Sequence, residues 1–572
     1  MKGNHLSRIR IISICIFLFA LLLIGKLYML QVVHSDTYTE KADRQYSTAG
    51  GSIFSRGNIF FQNKDGELVS AATLKSGFIV AVNPQILKDP ERVYEILNPI
   101  LPLEHDVFIA KATKKNDPYE EIAKHVETEV GEKIDALKIP GLKVYKDRWR
   151  FYPGGDSASH TVGFLGFKGD EYAGRYGLER YYESVLSRTN AAYTNFFAQI
   201  FSNIKDVKNS TLENEKEGDI VTTIEPTVQS YLQEVLASTT QKWGADYVGG
   251  IIINPMTGEI YALGTYPTFD PNNTQVEKKV QTFSNKLVEN TYEMGSVIKP
   301  LTIAAGIDAG VITSATTYND TGFVMVSGKK VSNFDGKARG VVDMQQVLSQ
   351  SLNLGVFHVE KLLGYKKFAD YMRSFGVAEK TNIDLPNEAK NLTSNLDRKS
   401  PVEVEYANMS FGQGISLTPI STVRALSTIA NGGYLIHPHV TKKINYKIGI
   451  TKDIEFPPGA QVIKKETAHE VTRMMIYSVD NVLSNGSTKL TNYSVAAKTG
   501  TAQIAKSGGG GYYEDTFLHS FVGYFPAYNP RFLIFFFIMN PRGAQYGSET
   551  LTTPFSETVK FLINYYEVPP DR

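Results

Sequence analysis

TYEMGSVIKPLTIAAGID, residues 291–308, decides how this chain is read. Pro300 has no N–H, so a helix tolerates it only in the first turn, where no intrahelical partner is needed. The helix therefore starts close to Ser296, just after Gly295. Lys299 follows three residues on, on the same face, with its amine in reach of the Ser296 hydroxyl. A serine at a helix N-terminus lies at the positive end of the macrodipole, which favours developing negative charge. An amine kept neutral by burial or by cationic neighbours can serve as its base. The Ser-x-x-Lys spacing alone is weak evidence. Ser202–Lys205 and Ser327–Lys330 repeat it without the preceding glycine or the following proline.

Two further short motifs come later in the chain. Ser351-Leu352-Asn353 lies in QQVLSQSLNLGVFHVEKLLG, with a helix resuming after it. Its hydroxyl can relay a proton, and its amide can hold a substrate amide while orienting the lysine. Read alone, it is a polar turn between helices. Lys498-Thr499-Gly500-Thr501 lies on the strand-like VAAKTGTAQ, where alternation sends Lys498 and Gly500 one way and the two threonines the other. Glycine allows a substrate backbone close to the strand edge, and a cation with nearby hydroxyls suits a carboxylate. Read alone, it is a strand-end turn.

Outward from these motifs the pattern is α/β. Pro226 opens a helix with Val228, Tyr231, Leu232, Val235 and Leu236 on one face. YVGGIIINPMTGEIYALG reads as a hairpin, with strands over 247–253 and 259–264. The middle, from about 296 to 485, reads as largely helical. Strands return in YSVAAKT (493–499), SFVGYFP (520–526) and FLIFFFIMN (532–540). Strands first, helices between and strands last imply a layered domain whose sheet is assembled from both ends. Before a charged linker at 214–219 the chain is mixed, with a β-like run at 76–82 and a charged helical stretch, EEIAKHVETEVGEKIDAL, over 120–137. HPH at 437–439 reads as two surface histidines rather than as metal ligands.

Composition sets outer bounds. Of 572 residues, 42% are hydrophobic and 21% charged, which fits buried cores and excludes disorder. Sixty basic against 59 acidic side chains leave +1, so a basic-stripe nucleic-acid binder is excluded. One cysteine, Cys15, excludes a disulfide framework and a thiolate metal site. At the N-terminus, Lys2, Arg8 and Arg10 precede the uncharged IISICIFLFALLLIG (11–25), and the apolar run extends past Lys26 to Val33. The whole segment is long enough to span a bilayer, with Lys26 snorkelling. The basic bias puts the N-terminus in the cytoplasm and the bulk outside. A cleaved signal peptide is the rival reading, and the extension past Lys26 favours an uncleaved anchor.

In this order and in one α/β domain, the three motifs match the Ser-x-x-Lys, Ser-x-Asn, Lys-Thr-Gly set of the penicillin-recognising serine enzymes. The chain resembles a class B penicillin-binding protein over nearly its whole length. RFYPGGDSASHTVGFLG (150–166) and GRYGLERYYE (174–183) resemble the family's pedestal, or dimerisation, domain. FGQGISLTP, ANGG and SFVGYFPAYNPR resemble stretches of its transpeptidase domain. There are departures. Met294 stands where proline is usual, GGSIFSRGNIF (50–60) replaces Arg-Gly-x-Ile-x-Asp-Arg, and Ser187-Arg188-Thr189 replaces a glycine-containing turn after Glu183.

The resemblance implies a cytoplasmic tail (1–10), a transmembrane helix (11–33), a mixed α+β pedestal (34–215), an α/β layered, serine-β-lactamase-like transpeptidase domain (216–566) and a tail (567–572). It implies a single-pass protein of the bacterial plasma membrane that cross-links D-Ala-D-Ala stem peptides of peptidoglycan during division or elongation. In that reading Ser296 is the nucleophile and Lys299 its base. Ser351, helped by Lys498, returns a proton to the leaving amine, and Asn353 holds the substrate amide. Thr499, Gly500 and Thr501 bind the substrate, and the N–H groups of Ser296 and Thr501 form the oxyanion hole. β-Lactams would acylate the same serine. No metal or organic cofactor is needed, and a SEDS-type membrane glycosyltransferase would be a partner. A β-lactamase needs no anchor or pedestal, whereas a DD-carboxypeptidase differs only in accepting water. A non-cross-linking scaffold or β-lactam sensor is the alternative, against which the intact motif set argues.

Overall fold

The computed structural model describes residues 54–168, 171–188, 217–277, 279–506 and 511–572, with isolated positions at 17–19, 23 and 26. The expected span over 11–33 lies outside the described residues apart from those positions, as do Gly508–Gly510. Among the described residues, no helix is long and apolar enough to cross a membrane. The chain forms two compact units. One takes in residues 56–73, 150–188 and 217–572; the other holds residues 74–149.

In the larger unit, helix α1 (Pro226–Trp243) starts as its sequence dictates. Pro226 occupies the first turn, Glu225 accepts from the Val228 N–H at 2.6 Å, and Gly244 ends the helix at φ +53°. Strands β1 (Tyr247–Ile253) and β2 (Ile260–Tyr266) follow as the expected hairpin. The stretch carrying Ser296 folds as a 3₁₀ turn, Gly295–Ile298, running into α2 (Lys299–Asp308). Every α2 residue from Lys299 to Gly306 is buried, as in a helix surrounded by protein.

The middle is less helical than its sequence suggests. Strand β3 (Thr317–Asp320) pairs with β6 (Gly340–Asp343), enclosing a hairpin of β4 (Phe323–Val326) and β5 (Lys329–Ser332). Ser327 and Gly328 turn that hairpin with φ of +51° and +77°, the twist a two-residue turn requires. The second Ser-x-x-Lys is therefore a hairpin turn. Helix α3 (Met344–Ser349), helix α4 (Asn353–Leu363), helix α5 (Pro419–Ala430) and helix α6 (Lys465–Asn481) belong to this layer, with further helices at Tyr365–Ser374 and Glu403–Ser410.

The last strands, β7 (Ala496–Ala505), β8 (Tyr512–Phe525) and β9 (Phe532–Met539), precede helix α7 (Gly547–Tyr565). They join the first two in one antiparallel sheet ordered β7-β8-β9-β1-β2. A single row of paired residues crosses it: Thr499, Phe521, Phe536, Gly250, Gly264. Strand β9 is central and has no polar face because both faces are covered. Leu533, Phe535 and Phe537 join the core beneath the helical middle. Phe532, Ile534, Phe536 and Ile538 join a second core with Leu232 and Leu236 of α1 and Leu551, Phe555 and Val559 of α7.

The stretch that departs from the usual stalk pattern still supplies a clamp. Arg56 grips Glu183 through both terminal nitrogens at 2.9 Å and Glu179 through Nε at 2.6 Å, while Arg150 takes the other oxygen of Glu179. Burying such a cluster is tolerable only because each charge is paired and hydrogen-bonded.

In the smaller unit, EEIAKHV (120–126) is a strand paired antiparallel with residues 78–82, and helix begins only at Thr128. This corrects the helical reading of 120–137. The pairing offered by a neighbouring strand, with Val80 and Val82 buried, overrides a weak local helix preference.

Candidate active site

The edge strand β7, the start of α2 and the turn before α4 bring Lys299, Ser351 and Lys498 into direct contact. Lys299, fully buried, donates from Nζ to the Ser351 carbonyl at 2.5 Å and to Ser351 Oγ at 3.1 Å. Lys498, 5% exposed, donates to the same Oγ at 3.0 Å and to the Thr499 carbonyl at 2.7 Å. A hydroxyl has two acceptor lone pairs and one proton. With both lone pairs taken by amines, Ser351 keeps its O–H to donate elsewhere. Ser351 itself lies at φ +57°, a left-handed position that a non-glycine residue holds only under constraint.

Burial lowers the basicity of both amines. The Lys299 amine is held well below the usual lysine range, first by burial and then by the nearby charge of Lys498. Lys498 is pulled down to about 7 by burial. Ser296, partly exposed, sits one turn before Lys299 at the head of the 3₁₀ turn.

The turn carrying Ser296 is stitched to its neighbours residue by residue. Tyr292 and Leu417 exchange backbone hydrogen bonds at 2.9 and 2.8 Å. Glu293 Oε1 accepts from the Gly414 N–H at 2.9 Å and from the Tyr512 hydroxyl at 3.2 Å. The Met294 carbonyl accepts from Ser520 Oγ at 2.8 Å, and Gly295 donates to the Gly412 carbonyl at 3.0 Å. Gly295 needs its freedom: its φ is +63°, and a Cβ there would lie 2.7 Å from the Thr501 carbonyl.

Gly500 has a role the sequence reading did not give it. A Cβ at that position would fall 2.2 Å from Ser520 Oγ and 2.9 Å from the Met294 carbonyl. The glycine therefore allows the turn carrying Ser296 to approach the strand. Thr501 Oγ1 accepts from the Gly547 N–H at 3.0 Å, which brings the N-terminus of α7 onto the Lys-Thr-Gly strand. Asn353 donates from Nδ2 to the Ser332 carbonyl at 2.9 Å. Glu293, Ser520, Gly412, Gly547 and Ser332 were not singled out in advance. Each meets the site through a partner more than 20 residues away, and no local pattern announces that.

His437 is partly exposed, but His439 does not lie at the surface as expected. His439 is 5% exposed, with Nδ1 2.8 Å from the His437 carbonyl, and both rings pack on Phe456. The two histidines line a cavity of about 510 Å³. It adjoins β2, at the edge of the sheet opposite to β7, and includes none of the residues just described.

Such a layered sheet, with a serine turn and two buried lysines meeting at its edge strand, defines the penicillin-recognising serine fold. Residues 248–560 match the family model described as the penicillin binding protein transpeptidase domain, and residues 54–223 match that of the penicillin-binding protein dimerisation domain. The chain belongs to the class B penicillin-binding proteins, the serine-type peptidoglycan D,D-transpeptidases. It is 29% identical to stage V sporulation protein D of Bacillus subtilis, over 87% of this chain and 77% of that protein. It is 26% identical to the peptidoglycan D,D-transpeptidase FtsI of Buchnera aphidicola (subsp. Schizaphis graminum), over 98% and 96%. Among solved structures, penicillin binding protein 3 of Mycobacterium tuberculosis complexed with aztreonam superimposes with a TM-score of 0.64 at 25% identity, covering 75% of this chain and 92% of that one.

Proposed function

We propose that Ser296 carries the acyl group in stem-peptide cross-linking, with the two buried lysines and Ser351 managing its protons. The shared Ser351 hydroxyl, accepting from both amines directly behind the nucleophile turn, is the observation that carries this reading. Lys299, kept neutral by burial and by Lys498, takes the Ser296 proton as Oγ attacks the penultimate carbonyl of a D-Ala-D-Ala terminus. The N–H groups of Ser296 and Thr501 face the oxyanion that forms. Ser351 passes its proton to the departing amine and is reprotonated through the lysines, so terminal D-Ala leaves and the acyl-serine remains. The amine of a second stem peptide then attacks that ester, which restores Ser296 and forms the cross-link.

Strand β7 lies at the sheet edge, where a substrate strand can add. Thr499 and Thr501 bind the substrate carboxylate beside Gly500, and Asn353 holds its amide. The residues 11–33 anchor the chain in the plasma membrane with the catalytic domain outside, and a SEDS-type glycosyltransferase supplies the glycan strands during division or elongation. The name of the Buchnera relative and the aztreonam complex of the mycobacterial one support this assignment.

Covalent labelling with a fluorescent penicillin tests the centre of the reading. A stable adduct on the wild type that is absent from Ser296→Ala is the expected result. An adduct that persists in Ser296→Ala at wild-type yield would remove Ser296 from its role.

A further inference from the structure

Helix α4 begins with the Ser351-Leu352-Asn353 motif, yet it has no cap of its own. Leu352 occupies the N-cap position and offers no side-chain acceptor. The cap comes from the hairpin insertion. Asn333, which follows β5 and is 2% exposed, accepts from the Leu354 N–H through Oδ1 at 3.3 Å. The preceding residue, Ser332, takes the Asn353 side chain through its carbonyl. Two consecutive hairpin residues thus hold the motif's asparagine by its amide and the next residue by its backbone.

Asn333 is itself fixed by a carboxylate. Its Nδ2 donates to both oxygens of Asp320 at 2.9 Å and to the Lys337 carbonyl at 3.3 Å. Asp320, 1% exposed, also accepts from the Arg339 N–H at 2.9 Å and the Tyr318 hydroxyl at 3.0 Å. Two more connections follow, one to α4 and one to the turn before it. The Tyr318 ring stacks on His358 at 5.5 Å, and Arg339 Nε reaches Gln350, the residue before Ser351, at 3.3 Å. A buried carboxylate and amide are costly to place in a protein interior unless every bond is met. Here the bonds are met, and they converge on one motif.

We propose that Asp320 and Asn333 form a positioning pair that sets Asn353 for acylation of Ser296. The pair is remote from the nucleophile in sequence and acts on the reaction only through Asn353. The inference rests on the role given to Asn353 above.

The test is the second-order rate constant for acylation of the full chain in detergent by a fluorescent penicillin, with the melting temperature measured alongside. Asn333→Asp sets two carboxylates against each other and is expected to lower the rate at least about tenfold, the equivalent of about 1.4 kcal/mol. Exchanging the pair, Asp320→Asn with Asn333→Asp, rebuilds it in reverse. The carboxylate at 333 then accepts from Leu354 and from the amide nitrogen at 320; the amide oxygen accepts from the Arg339 N–H, and the Tyr318 hydroxyl turns to accept from the amide nitrogen. The exchanged protein is expected within about threefold of the wild-type rate. In an Asn353→Ala background, Asn333→Asp is expected to cost no further rate, although its effect on melting persists. Should the two carboxylates prevent folding, Asn333→Ala carries the same comparison.

Three results would overturn the proposal alone: a wild-type rate in folded Asn333→Asp, an exchange that folds but recovers nothing, or losses that multiply in full on Asn353→Ala. A wild-type rate in Asn353→Ala itself would overturn it together with the role of Asn353.

Discussion

Adding one methyl group at Gly500 should injure both the stability and the reactivity of this protein, and by different routes. The Cβ of Gly500→Ala would sit 2.2 Å from Ser520 Oγ, where ordinary contact begins at 3.4 Å. The hydroxyl must therefore retreat about 1.2 Å in a residue that is wholly buried. Retreat breaks its bond to the Met294 carbonyl, a loss of about 1 kcal/mol. Overpacking adds about 1–3 kcal/mol, for a total of about 2–4 kcal/mol. The same Cβ lies 2.9 Å from the Met294 carbonyl and 3.2 Å from Val297 Cγ1, so the turn carrying Ser296 must back away by a few tenths of an ångström. Misplacement on the scale of an ångström can cost about a hundredfold in rate, so a roughly tenfold fall in acylation is expected. Thermal denaturation and stopped-flow acylation by a fluorescent penicillin read the two effects separately. Adding Ser520→Ala to Gly500→Ala removes the 2.2 Å contact and should recover most of the stability, while the contact with Met294 keeps acylation slow. Wild-type values in both assays for Gly500→Ala would refute the packing argument.

Acylation should fall with falling pH, as the two buried amines, Lys498 at about 7 and Lys299 well below the usual lysine range, gain the protons that deny Ser296 a neutral base; a rate flat from pH 5 to 9 would contradict this. For stability the sign follows from Lys498 being depressed on folding. Between about 7 and 10.5 the unfolded chain binds the extra proton, so stability rises with pH across that window. Lys498→Met should lose the Lys498 share of this rise and keep that of Lys299, whose amine is also held low, and equal slopes in the two proteins would sink the reading. Glu360 in α4 is buried with no partner for either oxygen, and burial, reinforced by Glu403, lifts its carboxyl from 4.5 to about 7. Stability present below 4.5 is lost as pH rises to about 7. Glu360→Gln should therefore match the wild type near pH 4.5 and exceed it at pH 8 by on the order of 3 kcal/mol. Urea titration at the two pH values checks this, and an equal difference at both would count against it.

What could be read from the sequence was local and strongly signalled. Pro226 and the spacing from Val228 to Leu236 gave α1, and the unbroken FLIFFFIM gave a strand covered on both faces. Pro300 gave the start of the helix that presents Ser296, since only a first turn accepts it. The cluster of Lys299, Ser351 and Lys498 could be assembled in advance because three short motifs kept their order. The rest depends on partners far along the chain. EEIAKHV becomes a strand because residues 78–82 offer it a ladder. His439 is buried because Phe456 closes over it. Nothing near Asn333 in the sequence marks it as the cap of a helix that starts 20 residues later, and nothing near Gly500 points to Ser520 or Met294.

The order of strands in the main sheet has a consequence for how the protein is made. Strand β1 pairs with β9, whose first residue follows the end of β2 by 266 positions. At about 5–20 residues per second, a ribosome needs roughly 13–53 s to supply that neighbour. For that interval the β1–β2 hairpin has an unpaired edge, a template for wrong pairing. Ser296 is synthesised early in the same interval, while Lys498 and Ser520 arrive only near its end. A chain halted before residue 532 would thus carry Ser296 without the sheet that holds it. Reactivity therefore waits until residues 496–539 have been made and have paired in the sheet.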